Sequence, residues 1–282
     1  MKNNNLNLLI CCILIIFSSA CSKKNTGYAF PYNTNEVSDM RFLPEELQEI
    51  SGLSLLTGTT HDLACVQDEV GIIYIFDLLR NKVKKRINLQ VLDDFEAIEI
   101  VDSNAYMLTS SGDLYFIEQM KAKPIIQKIR IDKEQDLEGM GYDAKNNRLL
   151  IVPKTESNKT KVKIYAYDIA TKKLQKQPII HISNEGVKRY CKRNRINLDI
   201  PKKKMPFKPS AIAVNPYSGN IYLLASVGKV LCVLSPTGSI MHIEQLDQAI
   251  YPQPEGLAFL PNGDLVIASE GDLGRLVILK KN

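Results

Sequence analysis

Five phrases of one form recur along the chain: Ser51-Gly52-Leu53, Glu96-Ala97-Ile98, Glu138-Gly139-Met140, Ser210-Ala211-Ile212 and Glu255-Gly256-Leu257. Each sets a serine or glutamate before a Gly or Ala and then an apolar residue. Their middle residues are separated by 45, 42, 72 and 45 positions. The last phrase opens the clearest unit. A strand over Leu257 to Leu260, a Pro261-Asn262-Gly263-Asp264 turn, a strand over Leu265 to Ala268, a Ser269-Glu270-Gly271 turn and a strand over Leu276 to Leu279 follow in order. Short apolar runs between turns of this chemistry argue for β-structure throughout. A period of about 40 to 45 residues with four strands is the blade period of a β-propeller.

The earlier phrases fit the same template. Repeat one predicts strands over 52–56, 63–67, 72–77 and 83–89, and repeat two over 97–101, 105–109, 113–117 and 124–131. Repeat three predicts 139–143, 148–152, 162–168 and 173–182, and repeat four 211–215, 220–224, 229–234 and 239–244. The fifth repeat supplies three strands, and Met40-Arg41-Phe42-Leu43 offers the missing fourth. Pairing first and last segments closes the ring and removes an exposed sheet edge. The expected fold is therefore all-β, a propeller of five four-stranded blades over residues 37–282, closed by an N-terminal strand. The 72-residue interval leaves room for an insertion or a degenerate sixth blade. An open β-sandwich, or two small β domains, is the competing arrangement.

The absence of Trp excludes the Trp-Asp repeat class of propellers without excluding the fold. The formal charge of +5 is local: of 36 basic and 31 acidic residues, nine and one lie in 188–208, leaving 27 against 30. No general nucleic-acid-binding surface follows, and no nucleic-acid partner is expected. The basic run, Lys188-Arg189-Tyr190-Cys191-Lys192-Arg193-Asn194-Arg195 and then Lys202-Lys203-Lys204, could grip phosphates of lipid headgroups or anionic glycans. A solvated loop is the commoner reading of such a stretch.

Residues 1–20 read as a targeting segment. Lys2 precedes the apolar run Leu6 to Phe17, too short for a bilayer span of about 20 residues, and Ser18-Ser19-Ala20 leads into Cys21. A Cys directly after small residues resembles a bacterial lipobox, in which the thiol is acylated and becomes the mature first residue. Ser18 departs from that pattern, which prefers Leu. Two acyl chains anchor far better than one. The expectation is a lipoprotein signal peptide (1–20), lipidation at Cys21, a polar tether (21–36) and attachment to the membrane of a bacterial envelope, on a periplasmic or outer face. Cys65 and Cys232 sit in apolar strand-like runs and read as buried core thiols.

In a propeller the first strand of each blade lines the central channel. The turn leading into it lies on the same face as the turn between strands two and three. That geometry gathers Ser51, Glu96, Glu138, Ser210 and Glu255 at one mouth, joined by Asp68, Glu69, Lys154 and Glu270. Converging carboxylates repel, raise their pKa values or recruit a cation. Hard oxygen ligands suit Ca2+ or Mg2+ rather than zinc, with Glu96, Glu138 and Glu255 as the candidate ligands. The plain alternative is that these residues only cap backbone amides around a water-filled channel. His61, His181 and His242 fall at none of these positions.

The segments Glu49-Ile50-Ser51-Gly52-Leu53, Asp68-Glu69 with Gly71-Ile72-Ile73-Tyr74, Phe95-Glu96-Ala97-Ile98, Leu137-Glu138-Gly139-Met140, Pro209-Ser210-Ala211-Ile212-Ala213-Val214 and Gln253-Pro254-Glu255-Gly256-Leu257 resemble the SdiA-regulated (YjiK-like) family. The likeness spans roughly residues 37 to 280. It implies a propeller related to the NHL and TolB-like groups in an exported or membrane-attached bacterial protein, and it supplies no reaction. Two functions follow as expectations. One is a non-enzymatic module that binds a small ligand or an envelope protein at the carboxylate-rich mouth. The other is a divalent-cation-dependent hydrolase of the lactonase or phosphoesterase kind, with Glu69 or Glu270 as base. The address has its own test. Cys21→Ser is expected to move the protein from the membrane fraction to the soluble one, and an unchanged distribution refutes the lipid anchor.

Overall fold

The computed structural model describes residues 28–37, 39–131, 136–154, 159–198 and 204–282. The targeting segment, Cys21, the first part of the tether to residue 27, Lys202 and Lys203 lie outside them. No described helix is long and apolar enough to cross a membrane.

Five antiparallel sheets follow one another along the chain. Blade one comprises Ile50–Leu55, Asp62–Gln67, Ile72–Asp77 and Lys82–Asn88. Blade two comprises Phe95–Val101, Asn104–Thr109, Asp113–Ile117 and Ile125–Lys128. Blade three has Leu137–Asp143, Arg148–Pro153 and Lys161–Asp168, with an outer edge made of Lys173–Leu174 and Ile180–Ser183. Blade four comprises Ala211–Val214, Ile221–Ala225, Val230–Leu234 and Ile240–Gln245. Blade five joins Pro254–Phe259, Leu265–Ser269 and Arg275–Leu279 to the early strand Met40–Phe42. Arg41 pairs with Leu276, and the Leu43 amide extends the closure to the Gly274 carbonyl at 2.6 Å. Five blades are thus present and the ring closes as the repeat pattern requires.

The core lies between blades rather than inside one sandwich. Buried apolar side chains form one cluster at each of the five blade-to-blade interfaces. Alternate residues of one strand serve different neighbours: Leu63 and Cys65 pack toward blade five, Ala64 and Val66 toward blade two. This is why the middle strands read as unbroken apolar runs; both faces are covered. Cys65 and Cys232 are buried, as their surroundings predict.

The inner strands approach one another closely. A Cβ on Gly52 would lie 2.9 Å from the Ala97 Cα, one on Gly139 3.0 Å from the Ile212 amide nitrogen, and one on Gly141 2.6 Å from the Ile212 carbonyl oxygen. The recurrent Gly or Ala is therefore a backbone-contact requirement. The pocket lined by the starts of these strands holds about 10 Å³, space for a single water.

Two expectations change. The single outer strand over 173–182 is broken: Gln175 and Ile179 still donate to Ala166 and Ile164 at 2.8 Å, while Pro178, with no amide hydrogen, falls in the gap between them. The first half of the basic stretch is a helix, α1 (Asn184–Asn194), not a solvated loop. Ser183 caps it by accepting from the Gly186 amide at 3.1 Å. Val187 and Cys191, one turn apart, bury against the cluster between blades three and four, with Met205 and Phe207 alongside. The long interval is an inserted helix, and its lysines and arginines ride the outer face. Gly141→Ala tests the axial packing. We expect a loss of about 1–3 kcal/mol from overpacking against backbone that has no room to yield, read as a lowered Tm by calorimetry.

Candidate functional site

Four of the five inner strands begin with a β-bulge. Pairing with the second strand skips a residue between Ile50 and Gly52, Phe95 and Ala97, Leu137 and Gly139, and Pro254 and Gly256. The skipped residues are Ser51, Glu96, Glu138 and Glu255. A bulge removes its residue from the ladder and re-aims its side chain. In blade four the equivalent Ser210 precedes the strand and is fixed instead by its hydroxyl, which donates to the Pro254 carbonyl (2.7 Å) and accepts from the Ser226 amide (3.1 Å). All five residues line one axial opening.

Around that ring lie the turns between second and third strands, stitched to the neighbouring blade by main-chain bonds. Phe95 donates to Asp68, Leu137 to Ser110, Lys154 to Asp136 and Glu270 to Gln253, at 2.7–2.9 Å. Lys154, Glu270 and Asp68 are half-buried on this rim, and Glu69 is exposed. The predicted site residues therefore separate into an inner ring and an outer rim. Two contributors escaped the sequence reading. Asp94 adds negative charge beside Glu96 and Glu138. Lys229, read there as the start of a strand, sits near Glu255 and donates to the Ser226 carbonyl at 2.7 Å. Its position one residue before an apolar run masked it.

Desolvation dominates the electrostatics. Glu138, only 4% exposed, accepts from Lys154 Nζ at 2.6 Å, yet its burial still outweighs that cation and raises its pKa. Burial works against the Lys154 charge, but the hydrogen bond and charge of Glu138, helped by Glu96 and Glu255, prevail and raise it. Glu96 is pushed up to about 9, first by burial and then by Glu138 and Asp94. Glu255 reaches about 7 by burial, offset by a hydrogen bond from Ser226. Glu270 is raised by burial and the nearby Glu49 and Asp68. Asp68 is raised by burial and by Glu69, and its Oδ1 is buried without a hydrogen-bond partner.

A divalent cation would need Glu96, Glu138 and Glu255 to converge. Among the described residues the set of ligand atoms lying within 4.8 Å of one another is that of His61, Asp62 and Asp77. That set sits at the opposite end of blade one's strands, where Arg80 and Lys84 already hold the two aspartates. At the mouth, Lys154 occupies Glu138 as an internal cation.

A sequence profile of the SdiA-regulated family matches residues 36–274. The chain belongs to the SdiA-regulated family. This SdiA-regulated propeller resembles several solved structures at identities that establish the fold alone. Myxococcus xanthus glutaminyl cyclase is similar at 12% identity and TM-score 0.56, over 87% of this chain and 95% of that one. A nidogen/laminin complex matches at 11% and 0.52, over 81% and 74%. The PQQ-bound aldose sugar dehydrogenase of Streptomyces coelicolor matches at 13% and 0.50, over 86% and 98%. No curated protein sequence matches it.

The raised carboxyls make a pH prediction for this family member. Glu96 and Glu255 bind protons more tightly folded than unfolded, so their contribution to stability is complete below about 4.5 and is lost as pH rises through about 7 and 9. Tm is expected to fall from pH 5 to pH 9, and Glu96→Gln to flatten the upper part of that fall. A Glu96→Gln curve parallel to wild type would remove Glu96 as the source.

Proposed function

We propose that this SdiA-regulated propeller is a non-catalytic binding module, held to the bacterial envelope membrane through Cys21, whose carboxylate mouth receives a cationic group presented by another envelope protein. The observation that carries the reading is the state of Glu96 and Glu255. Both are withdrawn from water, both face the axis, and among the described residues neither forms an ion pair. Burial holds Glu96 protonated at neutral pH, so an incoming cation displaces the proton and then pairs with the carboxylate in a site of reduced dielectric. The opening is about 10 Å³, which suits the ammonium tip of a lysine side chain and not a whole small molecule. The rim acids Asp68, Glu69 and Glu270 surround it with negative potential, which steers a basic partner.

The competing reading is a divalent-cation-dependent hydrolase, with Ca2+ on Glu96, Glu138 and Glu255 and Glu270 as base. The raised pKa of half-buried Glu270 favours it, and the Lys154–Glu138 contact opposes it, because the lysine would have to leave. Calorimetric titration separates the two. A short lysine- and arginine-rich peptide is expected to bind the wild-type protein and to lose about tenfold or more in affinity with Glu96→Gln/Glu255→Gln, as for removal of a buried charge partner. Equal binding by the double variant overturns the proposal. Ca2+ binding accompanied by ester or lactone turnover establishes the hydrolase instead.

A further inference from the structure

The second end of the axis differs in kind from the first. At the other end of the inner strands, residues from all five blades line an open pocket of about 390 Å³. That volume lies within the range of small-molecule sites, whereas the carboxylate mouth does not. Three aromatic residues, Tyr142, Tyr217 and Phe259, line it, and of its two acids one carboxyl has no ion-pair partner among the described residues.

That carboxyl is Glu99, on the inner strand of blade two. Its Oε2 accepts from the Ser54 hydroxyl of blade one at 3.1 Å, and the same hydroxyl accepts from the Ile100 amide at 3.1 Å. The Tyr142 amide of blade three also reaches it. Neighbouring blades thus fix the carboxyl at the axis, and no described Lys or Arg forms an ion pair with it. The other acid of the cavity, Asp143, is already paired with Arg148 at 2.8 Å. Lys145 lies on the exposed rim.

We infer that this cavity is a binding site for a small organic cation, with Glu99 as counter-charge and Tyr142, Tyr217 and Phe259 as its aromatic walls. A half-buried carboxyl with hydroxyl and amide donors but no cation leaves room for a counter-ion. Aromatic faces attract a poorly hydrated ammonium, and do so best where water is excluded. Burial raises Glu99 to about 8, moderated by Ser54 and the Tyr142 amide, so a bound cation displaces its proton and pairs with the carboxylate. The site shares Leu257 with the other mouth, and none of that mouth's carboxyls lines it.

Saturation-transfer NMR on the full-length protein in detergent tests this, with choline as probe and glycerol as neutral control. Choline methyl resonances are expected to respond and glycerol not. Tyr217→Ala removes a ring that is 62% exposed and already carries Lys281 Nζ 5.5 Å from its centre. Its effect is read beside Lys281→Ala, which should leave choline affinity unchanged while Tyr217→Ala lowers it about tenfold. Glu99→Gln should abolish the response while its circular dichroism stays that of wild type, and Glu96→Gln/Glu255→Gln should keep it. Three results each overturn the assignment: no choline response up to about 10 mM, below which any specific affinity would register; an equal response from glycerol; or full retention in both Tyr217→Ala and a folded Glu99→Gln.

Discussion

Backbone-to-backbone contact around the axis is the constraint on which the rest depends. Five blades make a tight ring, and at Gly52, Gly139 and Gly141 the neighbouring inner strand is so near that a methyl group would strike main-chain atoms. Side chains cannot fill the centre, so they are displaced to its two ends. The polar residues of the inner strands are thereby concentrated at a narrow upper mouth and a wider lower cavity. Core burial is displaced too, outward into the five interfaces between blades, where it supplies the non-directional driving force for closure.

The same closeness explains the electrostatics. Carboxyls at bulged positions beside a constriction lose water without gaining enough donors, so desolvation sets the direction of shift for Glu96, Glu138 and Glu255 alike. Lys154 relieves one of them. Protonation relieves the others, since burial raises Glu96 to about 9 and Glu255 to about 7. Breaking that one contact would leave Glu138 buried and uncompensated, a larger loss than the pair itself contributes.

Much of this was legible in one sequence because the constraint repeats. The five Ser/Glu-Gly/Ala-apolar phrases mark the inner strands, the turns around Asn262-Gly263 and Asn146-Asn147 mark the hairpins, and Met40 to Phe42 stands where a closing strand is needed. Residues that act through register were readable: Ser51, Glu96, Glu138, Ser210 and Glu255 do share an opening. Residues that act through packing were not. Helix α1 rests on Val187, Tyr190 and Cys191, a three-residue stripe hidden among basic side chains. Glu99 was invisible for the opposite reason: a lone acid alternating with apolar residues in a strand looks solvent-facing until the next blade covers it.

The amino-acid sequence by itself therefore determined the blade repeat, the closing strand and which residues begin each inner strand, since these follow from local period and turn chemistry. Five blades rather than six was decided by helix α1 filling the long interval. Only the tertiary structure decided how near those residues come, which of them find a counter-charge, and that the two ends of the axis differ so much in volume. Those properties depend on distances between strands far apart in the chain. No local pattern encodes them, because desolvation and Coulomb interaction are set by the neighbour across the axis and not by the neighbour along the chain.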